Sequence, residues 1–199
     1  RDVERSRGLG DVYKRQAQKN GEYVGSTAPY GYCVEKVNGI YKLIVEPEAA
    51  KIVRRIFEEY ASGDSIQSII DRLFEDGVHR ISDYNQYHHV YCQDGENLHQ
   101  WGNSSIRAVL NRNNYYGDLV QRKYESRFQR GEKWCDILDE SQWIITPNAH
   151  EPIISRELFD KAQVRLKAAQ QKATKTTAGW EDDERAFYNV FYLSLIHIS

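Results

Sequence analysis

Residues Asn103 to Gly117, NSSIRAVLNRNNYYG, are the stretch whose reading decides the fold. Ile106, Val109 and Leu110 fall on one side of a 3.6-residue helix, so that side requires burial against the rest of the domain. At about 100° per residue the opposite side carries Ser104, Arg107, Ala108, Asn111 and Arg112, hydrogen-bonding and cationic groups around one very small residue. Small and polar is what entry into a nucleic-acid groove demands. Asn103 is placed to cap the first turn, leaving the positive end of the helix dipole open to a phosphate. An ordinary amphipathic surface helix has the same pattern, so the neighbouring segments must decide between the two readings.

The chain has 199 residues, 40% of them hydrophobic, enough for one core and a small appendage. No apolar run approaches the roughly 20 residues of a membrane span, and no signal-peptide pattern opens the chain, so a cytoplasmic location is expected. Cys33, Cys92 and Cys135 form an odd, widely spaced set without a CxxC pair, which suits free thiols better than a disulfide framework. The net charge of −2 does not advertise a nucleic-acid ligand, so that reading must rest on local charge.

The two ends carry a separate signal. Asp11 to Gln16, DVYKRQ, can be encoded GAT GTG TAT AAG AGA CAG, whose reverse complement translates as LSLIHI, the residues Leu193 to Ile198. Gly10 as GGA extends the match to Ser199. The pair resembles the transposase mosaic end used in preparing sequencing libraries, and Arg1 to Gly10 resembles the adapter beside it. Residues 1–16 and 193–199 are therefore expected to be translated adapter, and the remainder an internal piece of a longer protein. Residues 1–16 hold five Lys/Arg against three Asp/Glu, so the rest of the chain carries a formal charge of −4.

Between those ends the pattern is mixed. Ala17–Tyr23 reads as the tail of a helix, and Gly25-Ser26-Thr27-Ala28-Pro29 as an extended connector, so residues 17–28 link domains. Tyr32–Val37 and Tyr41–Val45 flank Asn38-Gly39, a strong hairpin signal. Pro47–Ala61 is helical, and a second helix follows with an Asp64/Gln67 capping box and a stripe of Ile66, Ile69, Ile70, Leu73 and Phe74. Residues 78–101 are polar, aromatic and non-periodic, and read as one long loop. A helix over 103–113, a strand over Tyr116–Lys123, a basic segment over Arg122–Lys133 and a strand over Trp143–Thr146 come next. Ser155 caps a last helix bearing Leu158, Phe159, Ala162, Leu166 and Ala169 on one face, and the domain ends near residue 172, with 173–192 a linker. The expected class is α+β: mixed helices with a small β-sheet or hairpin, and helices 65–76 and 103–112 forming a helix-turn-helix-like pair whose turn is the long loop.

Five blocks in this order, APYGY (28–32), EPEAAKIVRRIFEEYASG (46–63), SIQSIIDRLFEDGV (65–78), WGNSSIRAVLNRNNYYGDLV (101–120) and HEPIISRELFDKAQ (150–163), resemble the recombinase domain of large serine recombinases. The resemblance implies the double-stranded-DNA-binding domain, residues 29–172, of a phage integrase or mobile-element transposase, bacterial or phage-encoded. In that family a catalytic serine domain precedes this one, a zinc ribbon follows it, and the whole protein works on DNA as a dimer or tetramer. The parent reaction it implies is double-strand cleavage through 5′-phosphoserine links, strand exchange at attachment sites and religation, with no cofactor. Nothing in residues 17–192 maps onto the family's catalytic Ser/Arg motifs or its zinc-ribbon cysteines, so no catalytic residue and no metal ligand is assigned, and zinc is expected only downstream. A stand-alone winged-helix-type regulator and a protein-interaction domain are the competing readings.

Local charge supports a DNA-facing surface. From Asn103 to Lys133, Arg107, Arg112, Arg122, Lys123, Arg127, Arg130 and Lys133 oppose Asp118, Glu125 and Glu132, a balance of +4. Arg112, Arg122, Lys123, Arg127 and Arg130 are the phosphate-contacting candidates, while Ser104, Ser105, Arg107 and Asn111 can read base edges in a major groove. By the family resemblance, Gly25, Ser26 and Thr27 of the connector would lie along the minor groove. His79, His88, His89, Cys92 and His99 cluster in sequence but lack the paired C-x₂₋₄-C and H-x₃₋₅-H spacings of structural zinc sites, so no metal is assigned to them. Tyr84, Tyr87 and Tyr91 are expected to pack over the helices, Trp101 and Trp143 to join the core, and His150 to hold a turn.

Overall fold

The computed structural model describes residues 14–25, 27–126 and 135–177. The chain divides into two units, 1–162 and 163–199, and the architecture below is that of the first. Its elements, in order, are β1 (Tyr32–Val37), β2 (Ile40–Val45), α1 (Pro47–Ser62), α2 (Ile66–Glu75), α3 (Ile81–Tyr87), α4 (Asn103–Leu110), a 3-10 turn (Asn113–Tyr116), β3 (Leu119–Gln121), β4 (Tyr124–Ser126), β5 (Cys135–Ile137), β6 (Ile144–Thr146) and the start of α5 (Arg156–Thr177). The class is α+β. The strands form three separate antiparallel pairs, β1 with β2, β3 with β6 and β4 with β5.

The hairpin forms as its turn residues dictate. Asn38 and Gly39 have φ of 53° and 86°, the double left-handed conformation of the tight turn whose twist matches the flanking strands. At its base, Tyr32 and Leu43 are buried.

Three helices make the core. α1 buries Ala49, Ala50, Ile52, Val53, Ile56, Phe57 and Tyr60 along one face, with Pro47 in its first turn where a missing N–H costs nothing. α2 buries Ile66, Ile69, Ile70 and Leu73, and α4 buries Ile106, Val109 and Leu110. α1, α2 and α4 pack against one another in all three pairings. At about 1.5–3 kcal/mol for each fully buried aliphatic side chain, the three apolar residues of α4 are enough to anchor so short a helix.

The APYGY segment joins this core to everything else. Gly31 has φ of 91°, and a Cβ there would stand 2.9 Å from Ile153 Cδ1 and 3.0 Å from Val53 Cγ2, so only glycine fits. Tyr30 lies edge-on to Tyr84 and Trp101, at centroid distances of 4.9 and 5.4 Å. Tyr32 stacks on Tyr115 at 6.1 Å, and the Tyr115 hydroxyl donates to the Tyr30 carbonyl at 2.9 Å. Tyr115 carries the return connection as well, its carbonyl accepting from Ile153 and Ile154 N–H, while Arg54 donates through Nε and Nη2 to the Ile153 carbonyl.

Three expectations about helix ends are corrected. Gly102, not Asn103, is the N-cap of α4, and no side chain caps that end. The α2 cap is Ser65, whose Oγ accepts from Ser68 N–H, while Gln67 donates to Asp71 instead of closing a box with Asp64. The helix predicted over 103–113 ends at Leu110 and tightens into the 3-10 turn, because Asn111 takes the C-cap position.

Residues 78–101 are more than a loop. They contain α3, and they fold back through a Val78–Tyr91 bridge, with His79 N–H donating to Val90 O and Cys92 N–H to Gly77 O, each at 2.8 Å. Asp83, buried in α3, accepts from Arg80 Nε at 3.1 Å and lies 2.9 Å from His99 Nδ1. Side-chain hydrogen bonds supply the order that hydrophobic periodicity did not advertise. The Tyr84 hydroxyl donates to Glu46, and Trp101 is buried with its indole N–H on Val78 O, as a core role requires. Ser155 does cap α5, accepting from Leu158 N–H at 3.2 Å.

Candidate nucleic-acid interface

The apolar stripe of α4 fixes what its other face can do. With Ile106, Val109 and Leu110 turned inward, Ser104, Arg107, Asn111 and Arg112 are exposed, while Ser105 and Ala108 are half-buried. Arg107 Nε donates to Asn103 Oδ1 at 2.8 Å, one turn earlier, and Asn111 Nδ2 donates to the Arg107 carbonyl at 2.9 Å. Asn103 thus steadies the arginine instead of capping the helix. The Asn111 side chain closes the last turn with its amide nitrogen, and its Oδ1 remains directed by that same bond. The α4 surface therefore offers hydroxyls, one guanidinium and one amide on a rigid base.

The connector is fastened beside this helix system. Tyr23 N–H donates to Tyr41 O at 2.8 Å, Val24 N–H to Gln121 Oε1 at 3.2 Å, and Gln121 Nε2 to Glu22 O at 2.9 Å, so residues 22–24 are strapped to β2 and β3. The Tyr23 ring folds over Gly25, where a Cβ would collide with it, and its hydroxyl donates to Thr27 O. Gly25 and Thr27 are both exposed. Ser26 lies outside the described residues.

Electrostatics links the connector, the end of α4 and the β3–β4 turn. Arg112 is close enough to act on both Tyr23 and Lys123. Burial, reinforced by the Arg112 charge, lowers the pKa of the Lys123 ammonium, which lies 5.0 Å from the centroid of the Trp143 ring. Lys123 is thus half-buried beside Trp143, and Trp143 itself is half-buried instead of part of the core. Arg122, next to it, has φ of 58°, a left-handed conformation uncommon for a long side chain and typical of a sharp change of direction between β3 and β4. Arg127 and Arg130 lie outside the described residues, so the positive segment is seen here only through Arg122 and Lys123.

Of the twelve residues singled out in the sequence, the structure places Ser104, Arg107, Asn111 and Arg112 on one exposed helix and its end, and brings Lys123 and the connector into the electrostatic reach of Arg112. Asn103 was missed as a partner of Arg107. An Asn four residues before an Arg on a helix is a readable signal for such a pair.

Residues 47–169 match the family described as Recombinase, and the chain belongs to that family. Among solved structures, the chain is similar to one described as "Crystal Structure of a LSR-DNA Complex", with 17% identity and a TM-score of 0.47, covering 80% of this chain and 38% of the other. A second, described as "Sequence Requirements of the Listeria innocua prophage attP site", is 18% identical with a TM-score of 0.44, covering 78% of this chain and 50% of the other. The chain thus spans half or less of the length of these two proteins. Among the described residues no helix is long and apolar enough to cross a membrane.

Proposed function

We propose that this chain is the DNA-binding part of a site-specific recombinase of the serine type, and that it acts by holding a catalytic domain on a double-stranded attachment site. The observation that carries the proposal is the orientation of α4: its three aliphatic residues are buried, while Ser104 and Arg107 on this helix of eight residues, and Asn111 at its C-cap, are exposed. A helix of that length is about 12 Å long, comparable to the major groove's width of roughly 12 Å. Arg107 has the fork geometry that suits the O6 and N7 acceptors of guanine, and Asn111 the amide that suits adenine.

Arg112, Arg122 and Lys123 then serve the phosphates flanking that groove, and the strapped connector at Gly25 and Thr27 follows the backbone into the neighbouring minor groove. Cleavage and religation belong to a serine nucleophile outside residues 17–192, and two or four copies meet on the DNA. Family membership and the outward-facing helix support this reading over a regulator or a protein-interaction module.

Equilibrium binding of the purified chain to duplex DNA at low salt tests it. Binding that weakens steeply as salt rises, with no nicked or joined product, is expected. Absence of binding at about 50 mM salt, or strand cleavage by this chain alone, contradicts it.

A further inference from the structure

The fold-back of residues 78–96 gathers four metal-ligating side chains that the interface does not use. His79 Nε2 lies 3.0 Å from Glu96 Oε2, and His89 Nε2 lies 2.9 Å from Glu96 Oε1. Ligand atoms of His79, Cys92 and Glu96 all fall within 4.8 Å of one another. Donor atoms around a tetrahedral zinc, bound at about 2.0–2.3 Å, stand roughly 3.3–3.8 Å apart, so small shifts separate His79, Cys92 and Glu96 from a shared coordination shell, with His89 reaching it through the Glu96 carboxylate.

The contacts around His89 orient its ring toward the same carboxylate. Its Nδ1 lies 2.9 Å from the Tyr91 carbonyl, which can only accept, so Nδ1 carries the proton. Nε2 faces a carboxylate oxygen at hydrogen-bonding distance, a contact that a proton on Nε2 or a divalent cation bound by both groups satisfies. His79 is fully buried, and its Nδ1 has no partner among the described residues, so its polar attachment is Nε2, aimed at the same carboxylate. A fixed Nδ1–H on His89, donated to a backbone carbonyl, is also what orients a metal-bound imidazole.

We propose that His79, His89, Cys92 and Glu96 bind one divalent cation, zinc by the softness of their two imidazoles, thiolate and carboxylate. Binding displaces the Cys92 thiol proton and replaces the hydrogen bonds of Glu96 with coordination. The ion pins residues 88–96, where Val90 is the one buried apolar residue, to the end of α2 and thereby sets the path into α4. The site is separate from any zinc ribbon, since the chain has three cysteines and no CxxC pair.

The test uses the full chain, refolded or purified with zinc and, in parallel, with cobalt as a coloured probe. About one equivalent of metal per chain after dialysis is expected, and the cobalt form shows thiolate-to-metal charge transfer that disappears in Cys92→Ser and persists in Cys33→Ser. His89→Ala weakens binding by about tenfold or more, on the scale known for disturbing such shells. Only trace metal in a wild-type chain that circular dichroism shows to be folded overturns the proposal, as does a thiolate band that survives Cys92→Ser. No DNA is present, so this result stands or falls apart from the DNA-binding reading.

Discussion

Arg107 and Asn103 are one helical turn apart and joined by a 2.8 Å hydrogen bond from the guanidinium Nε to the amide oxygen. The bond fixes the plane of the guanidinium, which in the proposed complex lowers the entropy lost when its outer edge meets a base. Asn103→Ala keeps the charge and removes the brace. It is expected to reduce discrimination between preferred and random duplexes by severalfold, less than the roughly 10-fold to 100-fold expected from losing a bidentate base contact in Arg107→Ala. Competition binding at fixed salt measures both.

Phosphate contacts are read from the salt dependence. Replacing Arg112, Arg122 and Lys123 together with Gln is expected to weaken all duplexes alike and to flatten the slope of log affinity against log salt by about one unit per lost contact. Lys123, half-buried near Trp143, is expected to contribute the least of the three. An unchanged slope in the triple variant removes the β3–β4 turn from the interface.

Stability around the APYGY knot has a specific signature. Tyr115→Phe deletes the hydroxyl that satisfies the Tyr30 carbonyl and is expected to cost about 1–2 kcal/mol, whereas Leu110→Ala, which opens a cavity under α4, costs about 2–5 kcal/mol. Denaturant midpoints measure the two, and the order Leu110 above Tyr115 is the expected one.

His150 gives a pH dependence. Its Nε2 donates to Asn114 O at 2.6 Å and its ring stands edge-on to Tyr32, but burial dominates and holds its pKa below the usual histidine value near 6.5. The unfolded chain therefore takes up the proton first. Its contribution to stability is complete above about pH 6.5 and is lost as the pH falls from there toward the depressed folded value. In His150→Asn this part of the acid-side loss is expected to vanish, as melting temperatures between pH 7 and 5 would show.

The buried half of this molecule was largely legible in the sequence. The stripes of α1, α2 and α4 and the Asn38-Gly39 turn follow from periodicity and turn chemistry, and the structure buries the same side chains. The caps were less legible, because Asp64, Ser65, Gly102 and Asn103 are all acceptable at a helix start, and side-chain bonds from Arg72 to Asp64 and from Arg107 to Asn103 occupy two of them. α3 was invisible since it buries Asp83, not an apolar stripe, and its order comes from Arg80 and His99, the latter sixteen residues away. The histidines and Cys92 of this segment cluster visibly in sequence, but without the paired spacings of a zinc site, and Glu96 is brought to His79 and His89 only by the fold-back.

The ends of the chain make a separate prediction. If residues 1–16 and 193–199 are translated adapter, a chain of residues 17–192 is expected to melt within a few degrees of the full chain, since it loses none of the core named above. The gene's own codons at Gly10–Gln16 and Leu193–Ser199 check the assignment directly.

Selection of duplexes from a randomised pool, carried out with the wild-type chain and with an Arg107→Ala, Asn111→Ala double variant, tests the central claim most directly. The account predicts that the wild type enriches a defined motif, and that the double variant still binds DNA but loses preference at a contiguous few base pairs of it. Enrichment of the same motif by both proteins, or of none by the wild type, would contradict a base-reading role for α4.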